Sequence, residues 1–169
     1  VLDAAPMSVS GTPKTPVDSS VELDDIHFSY DGRNEVIRGV SMKIAAGQTV
    51  AFVGPSGGGK STLAGLVSRF YDVQSGSVRL GGVDVREIAK DELMNRVSFV
   101  FQNSRLIKAS ILENVRMGRP DATDEEVRAA LKAAQCDDII AKFPNGVNTV
   151  IGTKGVYLSG GEGQRIAIA

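Results

Sequence analysis

The chain has 169 residues, 42% apolar and 23% charged, with a formal charge of −1. That is the balance of one ordinary globular domain with its own core, and the charge gives no support to a nucleic-acid partner, for which a clustered basic excess is expected. The single cysteine, Cys136, excludes an internal disulfide, and no apolar stretch reaches the roughly 20 residues that span a bilayer.

Residues 1–20 are rich in Pro, Ser and Thr and lack periodicity, which predicts a linker. The first ten have neither the basic nor the apolar region of a signal peptide. Val21, Leu23, Ile26 and Phe28 predict a strand that ends at Tyr30 and the Asp31-Gly32 turn. Val40, Met42 and Ile44 predict a second strand, closed by Gly47. The apolar run Val50-Ala51-Phe52-Val53 leads into a glycine-rich loop and a helix from Lys60 to around Phe70. Further strands are expected at 77–80 and 97–101. Thr123 and Glu126 form a capping box ahead of Val127, Ala130, Leu131 and Ala134, which share one helical face. A loop with Pro144, Asn145-Gly146 and Gly152 leads to Leu158-Ser159-Gly160-Gly161, and 164–169 reads as helix. Strands joined by helical crossovers imply an α/β fold with a largely parallel sheet.

Gly54-Pro55-Ser56-Gly57-Gly58-Gly59-Lys60-Ser61 satisfies the phosphate-loop pattern G-x-x-x-x-G-K-S/T, between an apolar strand and a helix as the motif requires. Glycines let successive N–H groups turn toward one point and let phosphate oxygens approach. The helix start adds unpaired N–H groups and a positive dipole end. In such loops the lysine, here Lys60, neutralises the β- and γ-phosphates, and the hydroxyl of Ser61 ligates Mg²⁺. The same stretch also fits G-x-S-x-G, the nucleophile elbow of hydrolases. That alternative needs a histidine downstream, and the only histidine, His27, lies upstream.

Leu158-Ser159-Gly160-Gly161-Glu162-Gly163-Gln164-Arg165 closely resembles the LSGGQ signature of ATP-binding cassette (ABC) proteins. Ser159 is a natural N-cap, and the glycines leave N–H groups open at a helix start, which makes a second anion site. The resemblance covers nearly the whole chain from Tyr30 onward. It implies a P-loop NTPase (RecA-like) core with a largely parallel sheet, an N-terminal antiparallel part and a helical subdomain. On this pattern residues 1–20 are a linker from a transmembrane region and 21–102 the nucleotide-binding core. Residues 103–158 are the helical subdomain, and 159–169 the signature and the start of its helix.

The resemblance implies ATP and Mg²⁺ as cofactors. Tyr30 matches the aromatic that stacks on adenine, although an aromatic at a strand end also fits a core position. Gly54, Pro55, Ser56, Gly57, Gly58, Gly59, Lys60, Ser61 and Thr62 hold the phosphates. Gln102 matches the Q-loop glutamine that contacts Mg²⁺ and the attacking water. Ser159, Gly160, Gly161 and Glu162 meet the γ-phosphate held by the phosphate loop of an opposite subunit. Two domains, identical or not, are thus expected head-to-tail. The stretch 149–155 resembles the loop that touches the membrane subunits in exporters. Two positions depart from the pattern: Glu162 replaces the usual glutamine, and Gly163 falls in the first helical turn, where glycine costs roughly 0.5–1 kcal/mol against alanine.

The family's Walker B strand, with its Asp-Glu pair, follows the signature helix, and none of these 169 residues supplies it. The chain alone is therefore expected to bind ATP without cleaving it, and the fold is expected to be incomplete at the C-terminus. The function expected of the full-length protein is ATP hydrolysis coupled to transport, with a transmembrane exporter domain as partner, at the cytoplasmic face of the cell membrane and without nucleic acid. A soluble ABC ATPase of DNA repair, chromosome structure or translation is the alternative. The interval 102–158 has no heptad run for the coiled coil of the chromosome type. A small-molecule kinase or GTPase leaves the signature unexplained.

Overall fold

In a computed structural model that describes residues 7–152 and 155–169, the first two predicted strands are β1 (Val21–Ser29) and β2 (Glu35–Ile44), paired antiparallel. The interval of three between Leu23 and Ile26 breaks a period of two. The structure absorbs it as a bulge: Asp25 sits at φ 45, and the register with β2 shifts between Leu23 and Ile26. Both residues thereby face the core. Gly76 on β3 (Ser75–Leu80) lies against this bulge, where a Cβ would come 2.3 Å from the carbonyl oxygen of Asp25, so only glycine fits. With β4 (Val83–Asp84) the sheet order is β2-β1-β3-β4, antiparallel throughout.

Helix α1 (Lys60–Val67) buries Leu63 and Leu66 in a core with Leu23, Ile26, Phe28 and Val78. It ends before the expected Phe70. The chain turns at Arg69 (φ 52), with Phe70 N–H donating to the Gly65 carbonyl and Arg69 N–H to that of Leu66. This is a Schellman ending with arginine where glycine is usual. The buried guanidinium offsets the unfavourable backbone by bonding Asp72 at 2.8 and 3.1 Å. Residues 85–87 form a 3-10 turn, followed by α2 (Lys90–Arg96).

The expected linker lies partly outside the described residues, but 8–20 is tied down. Ser10 and Lys14 donate backbone N–H bonds to the carbonyls of Arg86 and Glu87, and Gly81 exchanges bonds with Val17 and Ser20.

The chain divides into two units, one up to Phe99 and one from Val100. The second contains the short pair β5 (Ala109–Ser110) and β6 (Val150–Ile151), α3 (Ile111–Arg116), α4 (Asp124–Ala133), α5 (Asp137–Ile140) and α6 (Gly160–Ile168). Its core joins Ile111, Leu131, Ile139, Ile151 and Ile166. The predicted capping box of Thr123 and Glu126 opens α4.

The parallel part of the expected sheet does not appear among the described residues. The segments 50–53 and 97–101 are not strands, and Val53 is 92% exposed. Among the described residues the only parallel contact is an isolated bridge between Ile151 and Val156. No described helix is long and apolar enough to cross a membrane.

Candidate functional site

The phosphate loop is organised around the start of α1. Gly59 is its N-cap at φ 80, a conformation open to glycine, and no side chain caps the helix. The first turn carries no acidic residue, so its N–H groups and dipole face outward without a competing carboxylate. Gly54, Pro55, Ser56, Gly57, Gly58 and Ser61 are exposed, and Gly59 is buried against Ile37. Lys60 folds back over the loop: its ammonium donates to the carbonyls of Gly54 at 3.0 Å and Pro55 at 2.6 Å.

Tyr30 ends β1 beside this helix, 57% exposed, and packs edge-on to Phe28 and Tyr71. Its hydroxyl shares a 2.9 Å hydrogen bond with that of Thr62. One end of the ring is thus fixed to α1 while much of it faces solvent. Neither Tyr71 nor the Thr62 bond could be read from the sequence, since the pairing spans 32 positions.

In the second unit, Gln102 lies exposed in a turn. With Leu106, Tyr157, Ser159 and Gly160 it lines an open cleft of about 660 Å³. Ser159 is the N-cap of α6. Its Oγ accepts from Glu162 N–H at 3.3 Å, and its own N–H donates to Glu162 Oε2 at 2.7 Å, a complete capping box. The other carboxylate oxygen, Oε1, is paired with the Lys142 ammonium. These two partners, Lys142 first, hold the Glu162 carboxyl down to about 2.

Farther along α6, Arg165 forks onto Asp138 at 2.8 and 2.9 Å and also donates to the carbonyl of Gln135. Gln135 (φ 58) ends α4 in a second Schellman turn. Spacing gave no hint of either cation's partner.

Gly160 and Gly161 have ordinary φ, and a Cβ on either would meet nothing within 4 Å. Nothing among the described residues requires glycine at these two positions. Of the loop 149–155, Thr153 and Lys154 lie outside the described residues. No group of three or more metal-binding side chains occurs among the described residues.

A family model described as ABC transporter matches residues 37–169. The chain belongs to the ABC transporter family. It is 48% identical over 165 residues to a mitochondrial potassium channel ATP-binding subunit of Xenopus tropicalis, covering 95% of this chain and 24% of the relative. It is 44% identical over 149 residues to a mitochondrial iron-sulfur clusters transporter of Candida glabrata, covering 88% and 20%. The solved structure of a bacterial Atm1-family ABC exporter with ATP bound superimposes with a TM-score of 0.86 at 41% identity, over 95% of this chain and 29% of that one. The chain thus has the ABC P-loop NTPase fold and spans a fifth to under a third of these relatives' lengths.

Proposed function

We propose that this chain is the ATP-binding cassette of an exporter. Two such cassettes, identical or different, would close head-to-tail on Mg-ATP and energise a transmembrane partner at the cytoplasmic face of the membrane. Gly54 to Thr62 would cradle the phosphates. Lys60 would exchange the carbonyls of Gly54 and Pro55 for the β- and γ-phosphates, and the exposed ring of Tyr30 would take the adenine. Ser61 and Gln102 would hold Mg²⁺, which when bound screens the charge on the phosphates, and Gln102 would also orient the attacking water. Ser159, Gly160, Gly161 and Glu162 would meet the γ-phosphate held by the opposite cassette. The uncapped start of α1 and the acid-free first turn fit an anionic phosphate chain.

The observation that carries the head-to-tail reading is the open surface over Gly160 and Gly161. Nothing among the described residues requires glycine there, which fits a surface kept clear for a group arriving from outside. The names of the relatives, a transporter and an ABC exporter among them, favour transport over a soluble ATPase.

Gly160→Asp tests this in the full-length protein. The substitution puts a carboxylate at the proposed γ-phosphate contact. Repulsion between unit charges about 4 Å apart is roughly 1 kcal/mol in water and several-fold more where water is excluded. ATP turnover should be lost while binding of a fluorescent ATP analogue to the phosphate loop persists. Loss of that binding instead would mean the signature acts within its own cassette, against the head-to-tail model.

A further inference from the structure

Glu162 stands where two requirements oppose each other. As the fourth residue of the capping box it satisfies the Ser159 N–H, and a carboxylate beside a helix N-terminus is favourable in its own right. The same helix start is the surface proposed to receive nucleotide phosphates, and there an uncompensated carboxylate repels. A glutamine caps almost as well without the charge.

The structure supplies a counter-charge from another segment. Lys142, two residues beyond α5, pairs with Glu162 Oε1 across 20 positions of sequence, leaving Oε2 to the Ser159 N–H. Both carboxylate oxygens are therefore engaged, and the Glu162 side chain is only 16% exposed against 55% for that of Lys142.

A mechanical brace alone does not account for Lys142. The attachment of α6 to α5 is already made by the Arg165 fork onto Asp138 and by Ile166 and Ile139, both within the buried core. An exposed lysine adds little to such a docking. What Lys142 adds is a direct ion pair with the one acid in the first turn of α6, an acid that the Arg165 guanidinium, itself paired with Asp138, meets only through longer-range attraction.

We propose that Lys142 is a positioning residue of the signature half-site: it neutralises Glu162 and keeps that carboxylate on its cap, so that the start of α6 can accept nucleotide phosphates. This rests on the nucleotide reading of the signature above.

The test is steady-state ATP turnover by the full-length protein in four forms: the parent, Lys142→Ala, Glu162→Gln and the double variant. Lys142→Ala should raise the KM for ATP by about tenfold, equivalent to about 1.4 kcal/mol. In the Glu162→Gln background the same substitution should move KM by less than about twofold, because no charge is left to compensate. Lys142→Arg should keep the parent KM, and added salt should narrow the gap between Lys142→Ala and parent.

An unchanged KM in Lys142→Ala would overturn the proposal. So would an equal rise in both backgrounds, which would make Lys142 a structural brace. The signature reading fails separately, if Gly160→Asp turns over ATP like the parent.

Discussion

Replacing Gly59 with alanine asks whether the phosphate loop depends on its shape or only on its lysine. Gly59 sits at φ 80, and a Cβ there would lie 2.7 Å from Cδ1 of Ile37 and 3.2 Å from the Val36 carbonyl oxygen. Its neighbour Gly58 has an ordinary φ, and its nearest contact would be the Pro55 carbonyl at 3.1 Å, within the loop itself. Alanine at 59 therefore meets a left-handed backbone penalty of about 1–2 kcal/mol and an overpacking term of about 1–3 kcal/mol. Cδ1 is a side-chain tip that can rotate away, so a total of about 2–3 kcal/mol applies. The free loop relieves this strain by moving, whereas binding requires the N–H groups to return to place. Most of the strain thus appears as lost affinity, roughly 30- to 150-fold in Kd at 1.4 kcal/mol per tenfold. Gly58→Ala should stay within about fivefold, since its cost is about 1 kcal/mol or less. Titration of the full-length protein with a fluorescent ATP analogue reads both values. Adding Ile37→Val to Gly59→Ala should recover part of the loss, the overpacking part. Equal Kd values for Gly58→Ala and Gly59→Ala would refute the argument.

Tyr30→Ala should weaken ATP and ADP binding alike, by roughly 5- to 150-fold for a stacking contribution of about 1–3 kcal/mol, while Tyr30→Phe and Tyr30→Trp retain it. Unaltered nucleotide binding by the alanine variant would leave Tyr30 a packing residue for Phe28 and Tyr71. His27 bonds Glu35 at 2.8 Å across the β1–β2 pair and lies 3.4 Å from Asp25; the Glu35 bond raises the imidazole above its usual 6.5. A raised folded-state value stabilises fully below about pH 6.5 and loses that effect as pH climbs through the raised value. Hydrogen-exchange protection of β1 and β2, corrected for intrinsic rates, should fall across that window in the parent and not in His27→Gln. An identical pH profile in the two forms would exclude the His27 clasp.

Much of the site was legible because local chemistry fixes it. The phosphate loop, the Thr123–Glu126 box and Ser159 as an N-cap each need only residues within about one turn. The bulge in β1 is also written locally, in the step of three from Leu23 to Ile26. Non-local pairings left no such trace. Nothing in the spacing of Lys142 and Glu162, or of Tyr30 and Thr62, marks them as partners. Arg69 and Gln135 end helices in a conformation that sequence rules reserve for glycine, so α1 stops short of the Phe70 its pattern suggests. The segments 50–53 and 97–101 show the converse: strand-like composition does not by itself make a strand.

The most direct test of the account is ATP binding by Lys60→Ala. In the structure this ammonium is held over the loop by two of its own carbonyls, the position from which it would reach the phosphates. Hydrogen bonds to charged groups contribute roughly 1.5–3 kcal/mol. In an equilibrium titration of the full-length protein with Mg-ATP, the variant should therefore bind about 10- to 150-fold more weakly than the parent. Equal affinity in the two would contradict the assignment of 54–61 as the ATP site.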